Sequence, residues 1–180
     1  IVLIVFSFNE SKSRGRWTGF SLRWYQELFD NSTLMDALKT TLAVALISSA
    51  IAVIIGTAAA LGLHYSKKRI RNVLMNVTSL PMVNADIVTG ISLLLLFTFI
   101  GPKLGFVSLL LAHITFNIPY VILSVMPKLT QLDNNTFEAA LDLGATPLQA
   151  FFKVMLPEIS PGIVTGFILA FTMSIDDFVI

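Results

Sequence analysis

The feature that most constrains this chain is a run of 24 residues without a charge, from Thr40 to Leu63. A helix needs ~20 mostly apolar residues to cross the hydrocarbon core of a bilayer, so this run predicts a transmembrane helix. The whole chain is 55% hydrophobic and 13% charged, whereas soluble domains are ~25% charged. Its apolar residues occur in blocks, which indicates several spans rather than one soluble core. We therefore expect an all-α membrane protein.

Four further apolar segments extend this prediction. Ile1–Asn9 resembles the last turns of a truncated span, although its β-branched and aromatic residues leave a buried strand as the alternative. The segment from Val73 to Gly101 is interrupted, and we expect a helix, a kink or break near Pro81 and a second helix through Ile100. The segments 106–126 and 159–175 are predicted to be further spans.

The sequence begins and stops within apolar segments, so we expect residues 1–180 to be one transmembrane domain truncated at both ends. Four of the five residues from Lys67 to Arg71 are basic, which marks this short loop as cytoplasmic by the positive-inside rule. Alternation then places residues 10–39 and 101–105 outside and residues 128–158 inside. The two sides have equal numbers of basic residues in total. The cytoplasmic assignment therefore depends on the density of basic residues in the short loop. Aromatic residues in the first outer loop predict an interfacial helix around residues 21–29.

The segment from 135 to 157 predicts two short helices joined by a turn. Its helix ends are marked by residue types that cap or terminate helices: Asn134 or Asn135 at the first start, Gly144 at the first end, Thr146 with Pro147 at the second start, and Pro157 at the second end. We expect positive φ at Gly144, because glycine adopts that backbone conformation without a steric penalty.

The first of these helices is predicted to be two-sided. Phe137, Ala140 and Leu141 fall on one face, and Glu138 and Asp142 fall on the other, one turn apart. Two carboxylates at this spacing repel mildly, so a basic partner surface is the natural one to face them.

These residues carry a resemblance to a known family. The pattern Glu138-Ala139-Ala140, Gly144 and then Val154-x-Leu156-Pro157 spans twenty positions and resembles the EAA loop of ABC-importer permeases, in which isoleucine is usual where this chain has Val154. In that family the loop forms a cytoplasmic helix that docks in a cleft of the ATPase. The resemblance therefore implies that residues 135–157 are a coupling loop. The residues it implies for coupling are Glu138, Ala139, Ala140, Asp142, Gly144, Leu156 and Pro157.

A helix-turn-helix that reads DNA is the alternative interpretation of this segment. A recognition helix needs basic and amide side chains directed at phosphates and bases. The second helix here offers only Gln149 and Lys153 among apolar residues, and the net charge of the chain is +1. We therefore expect no nucleic-acid partner.

Three carboxylates in or beside predicted spans are candidates for a substrate pathway: Asp86, Asp176 and Asp177. A carboxylate at the centre of a membrane helix costs about 2.5–3.5 kcal/mol, so their presence suggests a water-filled path and a cationic passenger. The alternative is that they lie at the outer membrane boundary. Asn84 and Tyr120 are candidates to hydrogen-bond a substrate amine along the same path, or else to hydrogen-bond one another across helices.

Two further polar residues lie within the predicted span of residues 106–126. His113 is either a proton relay or a neutral side chain that hydrogen-bonds a neighbouring helix. Asn117 can bond a substrate amine or another helix.

Several other strings resemble the permease subunits of bacterial spermidine/putrescine ABC importers: Ser7-Phe8-Asn9, Trp17-Thr18-Gly19-Phe20, Trp24-Tyr25, Asp86-Ile87-Val88, His113-Ile114-Thr115-Phe116 and Phe171-Thr172-Met173-Ser174-Ile175-Asp176-Asp177. The resemblance implies a type I importer helix bundle in the bacterial inner membrane, here from the end of span one to most of span five. It also implies a second homologous permease, an ATPase dimer, an external substrate-binding protein, a polyamine substrate and transport by alternating access.

The sequence contains no motif that indicates catalytic activity in this chain. It contains no Gly-x-x-x-x-Gly-Lys-Ser/Thr phosphate loop and no cysteine, so we expect no ATP hydrolysis by this chain and no cofactor or metal. Two alternatives to a polyamine permease stay open: a related importer for sulfate, molybdate or iron, and a membrane channel or scaffold without a motor.

Overall fold

The structure is a computed structural model that describes residues 2–11, 17–83, 86–100 and 105–176. In this part the chain is almost entirely helical, and its one β pairing is an isolated antiparallel bridge between Asn9 and Phe20. The predicted all-α fold is confirmed. The chain divides into two compact units, Ile1–Leu42 and Ala43–Ile180, which are described separately below.

The first unit contains α1 (Val2–Phe6), α2 (Arg23–Asp30) and the beginning of α3. Its centre is the buried side chain of Asn9, whose Oδ1 accepts hydrogen bonds from the backbone N–H of Thr18 at 2.9 Å and from the Thr18 hydroxyl at 3.1 Å. The Nε1–H of Trp24 donates to the backbone carbonyl of Asn9 at 2.7 Å. These hydrogen bonds hold the loop together, although the described residues of the loop have no regular secondary structure.

Two predictions concern this unit. The first residues form the helix α1, so the alternative of a strand there is wrong. A helix also forms where an interfacial helix was predicted, over Arg23–Asp30. Its position at a membrane surface stays a prediction.

The second unit contains the remaining helices. They are α3 (Ser32–His64, which begins in the first unit), α4 (Lys68–Val83), α5 (Asp86–Ile100), α6 (Phe106–Gln131), α7 (Asn134–Asp142), α8 (Pro147–Ala150), a π-helical segment (Phe151–Met155) and α9 (Leu156–Asp176). Among the residues that the structure describes, three stretches are long and apolar enough to cross a membrane: Ser32–His64, Phe106–Gln131 and Pro147–Asp176. The shorter α5 is apolar through Ile87–Ile100.

The two helices predicted between residues 73 and 101 are confirmed by α4 and α5, and residues 84–85 between them lie outside the described residues. α4 continues through Pro81 to Val83, and the next described helix begins at Asp86. Pro81 lies in the last turn of α4, and its missing N–H removes one helical hydrogen bond. This loss occurs at a helix end, where the last carbonyl groups have no helical hydrogen-bond donors in any case.

The long helices pack through small residues spaced four apart. The buried residues of this kind on α3 are Ser48, Ala52, Gly56 and Ala60, and those on α9 are Gly162, Gly166, Ala170 and Ser174. A Cβ atom added to Gly56 would lie 2.7 Å from the Cβ of Val121 on α6, and one added to Gly166 would lie 3.3 Å from the Val121 Cα. α6 therefore packs closely against both α3 and α9. Helices in lipid associate through such backbone approaches, because apolar burial gives little driving force between them.

This packing generates a stability prediction. The substitution Gly56→Ala should destabilise the protein by about 1–3 kcal/mol, because the new methyl group would overlap Val121. Gly62 is the matched control on the same helix, since a Cβ there meets nothing within 4 Å. Gly62→Ala should be neutral or stabilising by up to about 1 kcal/mol through helix propensity. Unfolding in mixed micelles measures both, and equal effects of the two substitutions would contradict the packing.

Candidate functional site

The segment of residues 135–157, which the sequence singled out, begins with a helix capped one residue earlier than predicted. Asp133 is the N-cap of α7, and its side chain accepts a hydrogen bond from the backbone N–H of Asn135 at 3.0 Å. The predicted caps, Asn134 and Asn135, lie inside the helix. Asp133 has the extended backbone that a cap requires, and its carboxylate also complements the positive end of the helix dipole.

The turn after α7 forms as predicted. Gly144 has a φ of +87°, which a residue with a side chain adopts only with strain. The backbone N–H groups of Gly144 and Ala145 donate to the carbonyls of Leu141 and Ala140, at 2.9 and 3.0 Å. These bonds satisfy the end of the helix and reverse the chain towards α8.

The start of the second helix is also confirmed. The Thr146 hydroxyl accepts from the backbone N–H of Gln149 at 3.3 Å, and the Gln149 side chain accepts from the backbone N–H of Thr146 at 3.0 Å. This reciprocal pair is a capping box, with Pro147 at the start of the helix.

The end of the second helix was predicted wrongly, because Pro157 does not terminate it. The chain is helical from Pro147 to Asp176, and it passes through the π-helical segment immediately before the proline. There the N–H of Leu156 donates to the carbonyl of Phe151, five residues back. In an α-helix the Pro157 ring would crowd the carbonyl of Lys153, and the wider π turn relieves this. The segment is therefore joined to α9 by continuous helix.

The two faces predicted for α7 are present. Glu138 and Asp142 are exposed, whereas Phe137, Ala140 and Leu141 are half-buried. Of the other residues assigned to coupling, Ala139, Gly144 and Pro157 are exposed and Leu156 is half-buried.

Three exposed apolar side chains in the same segment as the acidic pair were missed by the sequence analysis. Leu143 is 89% exposed, Leu148 is 70% exposed and Phe152 is 59% exposed. All three are apolar residues near the turn that fall outside the predicted buried face. The sequence alone could therefore have identified them. Exposed apolar side chains next to charged ones are typical of a protein–protein contact surface. We call Glu138, Asp142, Leu143, Leu148 and Phe152 the coupling surface.

A second group of residues lies among the long helices and joins three of them. The Nδ1 of His113 on α6 and the hydroxyl of Ser174 on α9 are 2.8 Å apart. The hydroxyls of Ser174 and Ser48 on α3 are 3.3 Å apart, and the Nδ2–H of Asn117 donates to Ser48 at 3.5 Å. All four side chains are buried. We call them the polar cluster.

The polar cluster bears on the interpretations offered for His113 and Asn117. Both bond neighbouring helices, as the second alternative for each proposed. Ser48 and Ser174 were not singled out as functional, because a serine at small-residue spacing looks like any other packing residue. The Oδ1 of Asn117 is buried without a hydrogen-bond partner among the described residues. Three helices are thus tied together by polar side chains where lipid offers no other partner.

The residues predicted for the substrate pathway are described only in part. Asp176 is the last residue of α9 and is exposed. Tyr120 is half-buried, with its ring centroid 5.4 Å from that of Phe116. Asn84, Asp177 and the side chain of Asp86 lie outside the described residues.

Comparison with known proteins agrees with this arrangement. The sequence profile of the family described as "Binding-protein-dependent transport system inner membrane component" matches residues 52–180. The chain is 41% identical to the putrescine transport system permease protein PotI of Escherichia coli strain K12, over all of this chain and 66% of that protein. It is 39% identical to the spermidine/putrescine transport system permease protein PotC of Haemophilus influenzae, over all of this chain and 70% of that protein. A PotC homolog of Mycoplasma pneumoniae is 29% identical, over all of this chain and 68% of that protein.

The helices and the sequence similarities together define a multi-pass membrane protein of the permease class. Within that class, the chain belongs to the family of inner membrane components of binding-protein-dependent transport systems.

The polar cluster generates its own prediction. Ser174→Ala removes two interhelical bonds and should lower the free energy of unfolding by about 1 kcal/mol, since such bonds in membrane proteins average ~0.6 kcal/mol each. Thr172→Ala is the matched control, because that exposed hydroxyl donates to Ile168 of its own helix. A double-mutant cycle of Ser174→Ala with Ser48→Ala should show a coupling energy. Strict additivity in mixed-micelle unfolding would argue against the cluster.

Proposed function

We propose that this chain is the permease subunit of an ATP-driven ABC importer that takes up polyamines such as putrescine and spermidine. The observation that carries the ATP-driven part is the coupling surface, which presents two acids on α7 and three apolar side chains, two of them on the helix continuous with α9. The substrate is inferred from the relatives, which are named as putrescine and spermidine/putrescine permeases. In this proposal residues 135–157 are the coupling loop of a single permease domain spanning residues 1–180.

The coupling surface has the composition that a docking site needs. Leu143, Leu148 and Phe152 would fill apolar pockets of an ATPase subunit, while Glu138 and Asp142 would face basic residues around them. A few buried apolar anchors carry most of the energy of such interfaces, and charges at the rim select the partner. The ATPase is a separate dimeric partner, so ATP hydrolysis takes place outside this chain.

The transport step then follows from the helical connection. Closure of the ATPase dimer on ATP would move the coupling loop, and the continuous helix would carry that movement to α9. Because the polar cluster ties α9 to α3 and α6, these helices would move together. With a second homologous permease, this movement would open the path alternately to each side of the bacterial inner membrane. An external binding protein would deliver the substrate.

The acids give the path its selectivity in this proposal. A polyamine carries several ammonium groups, and ammonium groups keep their charge best beside carboxylates. Asp86, Asp176 and Asp177 would line the outer half of the path, with Asn84 and Tyr120 as hydrogen-bonding partners. A sulfate or molybdate importer would be poorly served by three path acids. A channel without a motor would have no need of the coupling surface.

The coupling role is tested by loss of the surface. Leu148→Ala should weaken association with the ATPase by about fivefold or more, because an anchor residue contributes over 1 kcal/mol. Glu138→Ala should weaken it by a smaller factor, because a charge at the rim contributes less to affinity. Gly144→Val should uncouple ATP hydrolysis from uptake, since valine strongly disfavours positive φ. Glu158→Ala, which removes an exposed acid outside the surface, is the control. ATPase co-purification and uptake in proteoliposomes measure these effects, and parental uptake by Gly144→Val would refute the role.

The passenger is tested by neutralising the acids without changing their shape. Asp86→Asn and Asp177→Asn should each reduce spermidine uptake about tenfold while basal ATP hydrolysis stays at the parent rate, because each removes charge from the path. Asp176→Asn reports which member of the adjacent pair faces the path. Asp36→Asn is the control, since Asp36 is an exposed acid paired with Lys39.

Competition by putrescine, spermidine and sulfate in the same assay identifies the substrate class. Parental uptake by all three pathway variants would mean that the acids are interfacial and that the specificity is set elsewhere. Competition by sulfate alone would overturn the polyamine assignment itself.

A further inference from the structure

A dense basic group lies between α3 and α4 and takes no part in the proposed transport mechanism. It consists of Lys67, Lys68, Arg69 and Arg71, which we call the basic cluster. The first three side chains are exposed and Arg71 is half-buried. In the part of the chain that the structure describes, none of the four lies within ion-pair distance of a carboxylate; the ion pairs found there are Arg23–Glu27 and Lys39–Asp36.

Four like charges in five residues are unfavourable without a counter-charge. Lys68 and Arg71 are three residues apart on α4, and such a like-charge pair on one helical surface is destabilising by about 0.2–0.5 kcal/mol. A bound anion would convert this repulsion into attraction. The basic cluster therefore has the charge of an anion site that the described residues leave without an acidic partner.

The surroundings of the basic cluster indicate which anion fits. It follows the uncharged run that ends at Leu63, so it lies where a span reaches the headgroup level of a bilayer. Tyr65, which is 66% exposed, precedes it, and tyrosine favours that level. α4 continues from the cluster with a stripe of apolar side chains at helical spacing that are 44–61% exposed: Ile70, Val73, Leu74 and Val77.

We propose that the basic cluster and this apolar stripe of α4 form a binding site for an anionic phospholipid. The lipid phosphate would lie among Lys67, Lys68 and Arg69, and the acyl chains would lie along the stripe. A phosphate alone would leave the stripe uncovered, whereas a phospholipid matches both parts at the depth where they occur. The site goes beyond the proposed function, because it uses none of the transport or coupling residues.

The test uses the complete importer complex with its full-length permease in detergent, titrated with phosphatidylglycerol and, separately, with phosphatidylcholine. Native mass spectrometry counts the lipids retained. Each basic residue near an anionic lipid surface contributes about a fivefold increase in affinity, so Lys67→Gln/Lys68→Gln/Arg69→Gln should weaken phosphatidylglycerol binding about 100-fold. Lys67→Arg/Lys68→Arg keeps the charge and should bind as the parent does. This variant is the control for a loss of binding that is caused by failed membrane insertion.

Single substitutions give the matched control. Lys68→Gln should weaken binding about fivefold, whereas Lys153→Gln, which removes an exposed lysine outside the site, should leave it unchanged. Val73→Ser/Val77→Ser should weaken binding through the stripe while all basic residues remain. Raising the salt concentration to 1 M shortens the screening length to about 3 Å, so it should reduce the preference of the parent for phosphatidylglycerol.

Several outcomes would overturn the proposal. Equal retention of phosphatidylglycerol and phosphatidylcholine by the parent would remove the charge argument. Parental affinity in the triple glutamine variant would remove the assigned residues. Full displacement of the lipid by inorganic phosphate, or parental affinity in Val73→Ser/Val77→Ser, would leave a free-phosphate site in place of a lipid site.

Discussion

The close approach of α6 to α3 and α9 is the interaction on which the rest of the structure depends. Inside a bilayer, apolar burial does not distinguish a neighbouring helix from lipid tails, so helices must be held by dispersion contacts and hydrogen bonds. Gly56 and Gly166 bring two backbones against Val121 from different helices. The polar cluster then adds directional bonds along the same contacts. Small residues set the distance between helices, and the polar cluster sets their register.

In the proposed mechanism, this packing gives the coupling segment a rigid group of helices to move. Because the helix is continuous from Pro147 to Asp176, Leu148 and Phe152 of the coupling surface belong to the same element as the packed face of α9. A flexible loop in that place would absorb the movement of a partner. The wider turn at Phe151–Met155 keeps the element unbroken past Pro157, at the position where a proline would otherwise interrupt it.

The parts of this fold that could be predicted from the sequence are those determined by residues close together in the chain. Charge-free length predicts the spans, and Gly144 and Thr146 predict their turn and cap because a few neighbouring residues decide both. The errors concern competition between neighbours: Asp133 displaced the predicted asparagine caps, and a π turn let the helix pass Pro157. The polar cluster was beyond reach, because Ser48 and Ser174 are 126 residues apart and only packing unites them.

The π-helical segment has a consequence for how this family can vary in length. Each residue advances an α-helix by about 100°, and a π turn accommodates one residue more than an α turn does. Loss of one residue from Phe151–Met155 would therefore rotate the coupling surface by roughly a quarter turn relative to Gly162 and Gly166. Either the docking side chains or the glycine face would then point the wrong way. The π-helical segment sets the rotation of the coupling surface relative to the glycine face of α9. The number of residues between Gly144 and Gly162 should therefore be constant in this family, even where the side chains between them vary.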